Sequence, residues 1–352
     1  MRRYPGFDFL RILAACAVVF SHSFLIAEGS EKNEPFEVSS GEIVAVYGVM
    51  VFFILSGFLI SDSAIRTPSV WQFTLKRVSR LVPAFLVCNL IVVAFICSAY
   101  STAGILFFLT DWNTWQHLIS VLTLQEDLLH YSDTVAFYVS PEESNSWLPA
   151  TANGVLWTIR VEISCYAIVG LMSASRMISS KTVLFLACLA VASALSYEIQ
   201  INKFLGDFFF LLPSFATGMV LRLYASKHKT DGVIAAASAA VLVTIALLVP
   251  GWQQLEVFFF PLFAAYPLLW IGEQNNAFFQ WLRQYGDPSY GMYLWGWPLQ
   301  QVLRSAIEGD WSGYTFFLLC IPAIICAGYI SWHVVERPFL IRRVRPISEK
   351  PR

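Results

Sequence analysis

Residues 11–22 read RILAACAVVFSH. Apart from Ser21, everything between Arg11 and His22 is apolar, so the stretch reads as the start of a membrane span holding a permanent cation and a titratable imidazole. At about 100° and 1.5 Å per residue, the two side chains share one helix face, about 16 Å apart along the axis. An ionisable group inside a span is costly and usually faces a cavity or a partner. The pair therefore marks the wall of a polar cavity running through the membrane.

The rest of the chain agrees. Of its 352 residues 57% are hydrophobic and only 13% charged, with a mean hydropathy of +0.60, against about 25% charged in a soluble domain. Twelve Trp and 29 Phe fit a lipid-facing surface with interfacial anchors. Apolar runs of the length a span needs, about 20 residues, recur near 8–27, 43–62, 81–100, 154–174, 182–198, 205–224, 232–250, 255–272, 288–307 and 314–335. The expected fold is an all-α polytopic membrane protein of about ten transmembrane helices, forming one domain over residues 1–352. A weaker stretch, 103–124, is broken by Asp111, Asn113, Gln116 and His117 and reads as an interfacial or re-entrant segment. Arg2 and Arg3 before the first run suggest a signal peptide, but Arg11, His22 and the lack of a convincing cleavage site favour a retained helix.

Charge orients these spans. With the amino terminus in the cytoplasm, 18 of the 23 Lys and Arg fall in inside segments, only Lys32, Lys203 and Arg304 fall outside, and Arg11 and Arg160 lie within spans. That asymmetry is what the positive-inside rule expects of an even number of helices with both termini cytoplasmic. No Lys or Arg occurs between Arg80 and Arg160, which puts the long connection 101–153 on the extracytoplasmic side.

Two further clusters carry chemistry. In KRVSRLVP (76–83), Arg77 and Arg80 are three apart and share a helix face at the expected inner mouth, with Pro83 suited to the first turn of the third span. Guanidinium forks suit phosphate oxygens, so the pair is a candidate polyanion clamp. In LWTIRVEISCY (156–166), Arg160 and Glu162 are two residues apart, so they point away from each other and each needs a partner on another helix. Glu162 is a candidate to orient His22 and fix its tautomer. The acidic residues from Glu28 to Glu42, with Lys32 the only cation among them, read as a solvated outer loop. The seven cysteines lie singly in apolar stretches, without a C-x-x-C pair, and read as packing residues. No cluster has metal-ligand spacing, and neither a Walker loop nor a G-x-S-x-G elbow occurs.

Taken in order, FDFLRILAACAVVFSH, GVMVFFILSGFLI (48–60), KRVSRLVP, LWTIRVEISCY, DPSYGMYLWGWPL (287–299) and HVVERPF (333–339) resemble the membrane-bound acyltransferase 3 family, the bacterial O-acyltransferases of surface glycans. The resemblance covers nearly the whole chain. It implies a ten-helix, multi-pass protein of the bacterial inner (plasma) membrane that uses cytoplasmic acetyl-CoA, or another acyl-CoA, as donor and acylates a sugar hydroxyl on the outer side, with no metal. The glycan acceptor is then a lipopolysaccharide, an exopolysaccharide or a lipid-linked saccharide. The resemblance makes Arg11 and His22 the essential pair, Arg77 and Arg80 donor-binding, and Glu162 a motif carboxylate. Ser289, Tyr290 and Tyr293 fall on the family's Ser-Tyr-x-x-Tyr pattern, Glu336, Arg337 and Pro338 on its closing motif, and Arg160 is a supporting residue. Two departures matter: Gly296 stands where the family commonly has His, and Ile163 where a second carboxylate often follows Glu162.

Residue physics fits that chemistry. Arg11, Arg77 and Arg80 would meet the phosphates of a donor that cannot cross the bilayer, and its pantetheine arm would run outward along the first helix toward His22, the expected general base. The rival class is a secondary transporter or flippase of a glycan or acyl metabolite, which also lines a membrane cavity with ionisable groups; the inverted repeats that would hint at one are missing. A membrane sensor or scaffold has no need for Arg11 and His22 on one face.

Overall fold

The computed structural model describes residues 4–67, 69–122, 135–138, 151–175, 183, 203–249, 251–307 and 309–340. Among them the chain is helical, apart from one isolated bridge between Ser101 and Val135. Helices α1 (Gly6–Glu28) and α3 (Val44–Arg66) flank a short α2 (Pro35–Ser40). Next come α4 (Val70–Ile91), running on through a π-helical turn to Cys97, then α5 (Ile105–Thr110), α6 (Trp112–Leu122) and α7 (Trp157–Ala174). Helices α8 (Lys203–Ala225), α9 (Gly232–Leu248), α10 (Trp252–Glu273), α11 (Ala277–Gln284), α12 (Ser289–Ala306) and α13 (Gly313–Ile330) complete the bundle. A second π-helical turn, Ser331–Glu336, extends α13.

Six of these helices are long and apolar enough to cross a membrane: α1, α3, α4 with its π turn, α8, α10 and the extended α13. The protein is thus a multi-pass membrane protein. Helices α7, α9 and α12 occupy three further positions expected from sequence. They fall short for physical reasons: α9 has 17 residues, and α7 and α12 carry the buried polar groups Arg160, Gln300, Gln301 and Arg304. The expected span at 182–198 lies almost wholly outside the described residues. Stretch 103–124 folds as two short helices, α5 and α6, rather than one long one. One boundary differs from expectation. Helix α4 begins at Val70, so Pro83 sits in its interior rather than in its first turn, and Arg77 and Arg80 lie in mid-helix.

Lipid tails give helices no hydrophobic reason to associate, so close approach has to. The crossing of α3 and α8 depends on glycine at both contact points. A Cβ on Gly57 would stand 2.0 Å from the Phe215 carbonyl oxygen, and one on Gly218 would stand 2.0 Å from that of Ile54. Only hydrogens fit between these backbones.

Helix α1 is central, packing on α3, α12 and α13 and touching α10 and α11. The segment between α1 and α3 is not merely solvated. Glu34 is fully buried; its Oε2 accepts from Phe36 N and Glu37 N at 2.7 and 2.8 Å, and its Oε1 accepts from Val44 N at 3.1 Å and Ser21 Oγ at 3.3 Å. Glu28 accepts from Gly313 N at 2.6 Å. The starts of α2, α3 and α13 leave N–H groups without helical partners, and these carboxylates supply acceptors.

Candidate active site

Three cavities follow one another through the bundle. At the acidic end, one of about 510 Å³ is lined by His22, Glu31, Gly154, Trp157, Lys203, Asp207, Tyr293 and Trp297. A narrow one of about 80 Å³ follows, lined by Arg11, Ser56, Arg77, Arg80, Thr158, Glu162, Tyr166, Tyr290 and Tyr293. The third, about 690 Å³, opens at the basic end among Asp62, Ser63, Arg66, Thr67, Lys76, Ser79, Arg77 and Arg80. Neighbours share walls: Val49 and Tyr293 border the first two, and Leu59, Arg77 and Arg80 the last two. The two larger of these spaces therefore lie at opposite ends, with the narrow one between them.

Arg11 and His22 line different members of this series, Arg11 the narrow cavity and His22 the acidic-end one. The imidazole meets the Trp297 ring edge to face, with centroids 4.8 Å apart. Trp297 is fixed by Nε1 donating to the Thr151 carbonyl at 2.9 Å, and Gly154 allows the backbone to lie against the indole. Among the described residues no hydrogen-bond partner meets the ring nitrogens of His22, which leaves them to a ligand in the cavity.

Glu162 is elsewhere. It lines the narrow cavity and accepts from Ser56 Oγ at 3.3 Å and from the Tyr166 hydroxyl one turn further along α7. The expected role of orienting His22 has no contact to support it, because Glu162 faces α3 at the level of the constriction. Tyr293 stands between the two: its hydroxyl lies 2.7 Å from Thr158 Oγ1 and donates to the Val155 carbonyl at 3.1 Å. Arg160 faces the other way, as its spacing from Glu162 requires, and pairs with Asp207 on α8 at 3.3 Å while lying over Phe204.

The arginines expected to grip a donor are not equivalent. Arg11 Nη1 and Arg80 Nη2 converge on one oxygen of Asp287, at 2.8 and 2.7 Å. The other oxygen of Asp287 accepts from the backbone N and Oγ of Ser289 at 3.2 and 2.5 Å. Arg80 also lies 3.4 Å from Glu336 and over the Trp332 ring. Both belong to the π-helical turn after α13, an irregularity common at functional sites. Ser289 thus steadies Asp287, and Tyr290 ties α12 to α4 by donating to the Leu81 carbonyl at 3.2 Å. Among the described residues Arg77 pairs with no carboxylate; its Nη2 donates to Ser63 Oγ at 3.4 Å, its guanidinium lies over Phe73, and its buried Nε has no partner.

Sequence reading missed Asp287, Tyr166, Trp297 and Asp207. Asp287 had a visible signal, as a lone acid two residues before the Ser-Tyr motif at the start of an apolar run. Tyr166 stands one helical turn from Glu162, close enough to be suspected. Trp297 lies within the motif 287–299 but was not singled out there, and Asp207 gave no signal, because its importance lies in which helix it meets.

A multi-pass membrane bundle with a basic mouth, a narrow middle and an imidazole-bearing chamber defines a class: membrane proteins that enclose a polar passage among their helices. The family described as Acyltransferase domain matches residues 4–333, and the chain belongs to it. It is 24% identical over 369 residues to an "O-acetyl transferase" of Shigella phage Sf6, covering 99% of both chains. It is 26% identical over 380 residues to "Nodulation protein 10" of Rhizobium leguminosarum bv. viciae, covering 98% of this chain and 95% of that one. No solved structure matches. The protein is an acyltransferase.

Proposed function

We propose that the protein moves an acetyl or other acyl group from cytoplasmic acyl-CoA to a sugar hydroxyl of a surface or lipid-linked glycan on the far side of the membrane. One observation carries this reading: the basic mouth and the His22 chamber lie at opposite ends of a single series of cavities. Their contents fit the two substrates. Arg66, Lys76, Arg77 and Arg80 make the mouth basic, and Lys76 and Arg77, paired only with hydroxyls among the described residues, suit phosphates. The chamber at the other end, about 510 Å³ with Trp157, Glu31, Asp207 and Lys203 in its wall, suits a sugar ring. Charge assigns the sides, because the mouth rich in Lys and Arg belongs in the cytoplasm.

Length fits as well. About thirteen bonds separate phosphorus from sulfur in coenzyme A, or about 15 Å at the rise per bond of an extended backbone. The Arg11–His22 separation along α1 is about 16 Å. An extended arm of that length spans the narrow cavity between the level of Arg11 and the imidazole. There the neutral imidazole accepts the proton of the acceptor hydroxyl as its oxygen attacks the thioester carbonyl. The new ester forms as the C–S bond breaks, and the proton passes from His22 to the departing thiolate. Trp297 holds the imidazole ring in place.

The test is to supply labelled acetyl-CoA to the outer face of inverted membrane vesicles and follow the label. Label on a lumenal glycan is the expected result. Label confined to acetate, or a solute moved without acylation, refutes the proposal and favours the transporter reading.

A further inference from the structure

The cations along the basic half of the passage divide by their acidic neighbours. Arg11 and Arg80 share Asp287, and Arg80 also meets Glu336. Arg66 and Arg222 share Asp62, with 2.8 Å between Arg222 Nε and the carboxylate. Lys76 and Arg77 stand apart. Lys76 Nζ donates to Thr67 Oγ1 at 3.0 Å and Arg77 Nη2 to Ser63 Oγ at 3.4 Å, both neutral hydroxyls. Among the described residues neither has a carboxylate within ion-pair distance, and the buried Nε of Arg77 has no partner at all. Both side chains are part-buried, and Arg77, though it shares the narrow cavity with Glu162, keeps a buried N–H without an acceptor, which is costly unless something else supplies one. Both line the same 690 Å³ cavity, open at the basic end.

Asp287 makes the complementary point. Its carboxylate already occupies the position between Arg11 and Arg80 that a phosphate oxygen would take, and it would repel one. Building on the reading of a phosphate-bearing thioester donor, we infer that the phosphates sit on Lys76 and Arg77, with the hydroxyls of Ser63 and Thr67 beside them. Asp287 is a positioning residue. It locks Arg11 of α1 to Arg80 of α4 and so fixes the walls of the constriction the acyl arm must cross.

Binding of coenzyme A and of pantetheine, which lacks the phosphates, to the full chain in detergent micelles separates the two roles without needing the acceptor. Lys76→Ala and Arg77→Ala should each weaken coenzyme A about tenfold, as loss of a charge-assisted bond does, and flatten its salt dependence. Pantetheine binding should not change. Asp287→Asn should leave coenzyme A affinity within about threefold of wild type, the allowance for small indirect effects, or tighten it. Acyl transfer in membrane vesicles should fall in that variant and partly return in Asp287→Glu. If Asp287→Asn does not fold, Arg80→Lys keeps the cation and should likewise retain coenzyme A binding. Loss of coenzyme A from the Asp287 or Arg80 variants, with Lys76→Ala and Arg77→Ala unaffected, overturns this assignment and leaves the donor reading intact. A wild-type chain that binds no coenzyme A overturns both.

Discussion

Gly154→Ala strikes the His22 chamber through packing alone. A Cβ on Gly154 would stand 2.7 Å from Cζ3 of Trp297 and 2.8 Å from Cε3 and Cη2. Carbon atoms in ordinary contact are about 3.5 Å apart, so the indole or the backbone must retreat by roughly 0.7 Å. The indole is held: it is 3% exposed and its Nε1 donates to the Thr151 carbonyl at 2.9 Å. Freeing that donor in a buried site costs about 1–3 kcal/mol. The ring therefore moves little by itself, and the strain passes to its neighbour, the imidazole of His22 at 4.8 Å. A misplacement on the order of 1 Å at a reacting group lowers rates about 10²-fold. Transfer of label from acetyl-CoA should thus fall by about that factor in vesicles from the producing cell lacking this gene and complemented with the variant. Thermal unfolding in detergent should show a loss of about 1–3 kcal/mol from overpacking. Gly170→Ala is the control, since its Cβ would lie 3.6 Å from Phe73, an ordinary contact. It should be neutral or gain about 0.5–1 kcal/mol within its helix. Wild-type transfer and unchanged melting in Gly154→Ala would mean that Trp297 does not hold His22.

Other expectations follow from the same geometry. His22→Ala should lower transfer by about 10²–10⁴-fold, the usual worth of a general base, while coenzyme A affinity measured by calorimetry stays near wild type; full retained activity removes the imidazole from the reaction. Gly57→Ala must separate α3 from α8 by about 1 Å and should cost at least the 1–3 kcal/mol of overpacking, read as a lower melting temperature; an unchanged melt means the crossing is not close. Burial raises the Glu31 carboxyl to about 7, helped by the nearby charges of Glu42, Glu37 and Glu34. The folded segment therefore holds a proton that the unfolded chain would release. Its stabilisation is complete below about 4.5 and lost as pH rises through about 7. Limited proteolysis between α1 and α3 should accelerate across that window in the wild type and less steeply in Glu31→Gln, where the raised Glu37 and Glu42 carboxyls remain.

The architecture was legible because membrane helices announce themselves by length and hydropathy, and Arg11 and His22 by their cost within such a helix. The helices that fall short are those where polarity was needed inside. Helix α7 carries Arg160 and Glu162, and α12 carries Gln300, Gln301 and Arg304, so hydropathy weakens where function or packing adds polar groups. What the sequence withheld was pairing. Spacing on α7 told that Arg160 and Glu162 face opposite ways, but only the packing of α8 and α3 supplies Asp207, Ser56 and the level of each within the passage. The same limit made the basic residues look interchangeable. Arg77 and Arg80 differ by three positions on one helix, yet one meets two carboxylates from the far end of the chain and the other meets a serine. Counter-charges, set by helices distant in sequence, are what distinguish the two arginines. Gly296 shows the converse. A Cβ there would meet one atom within 4 Å, a Val19 methyl at 3.1 Å, so a departure plain in the sequence asks only a few tenths of an ångström of the packing against α1.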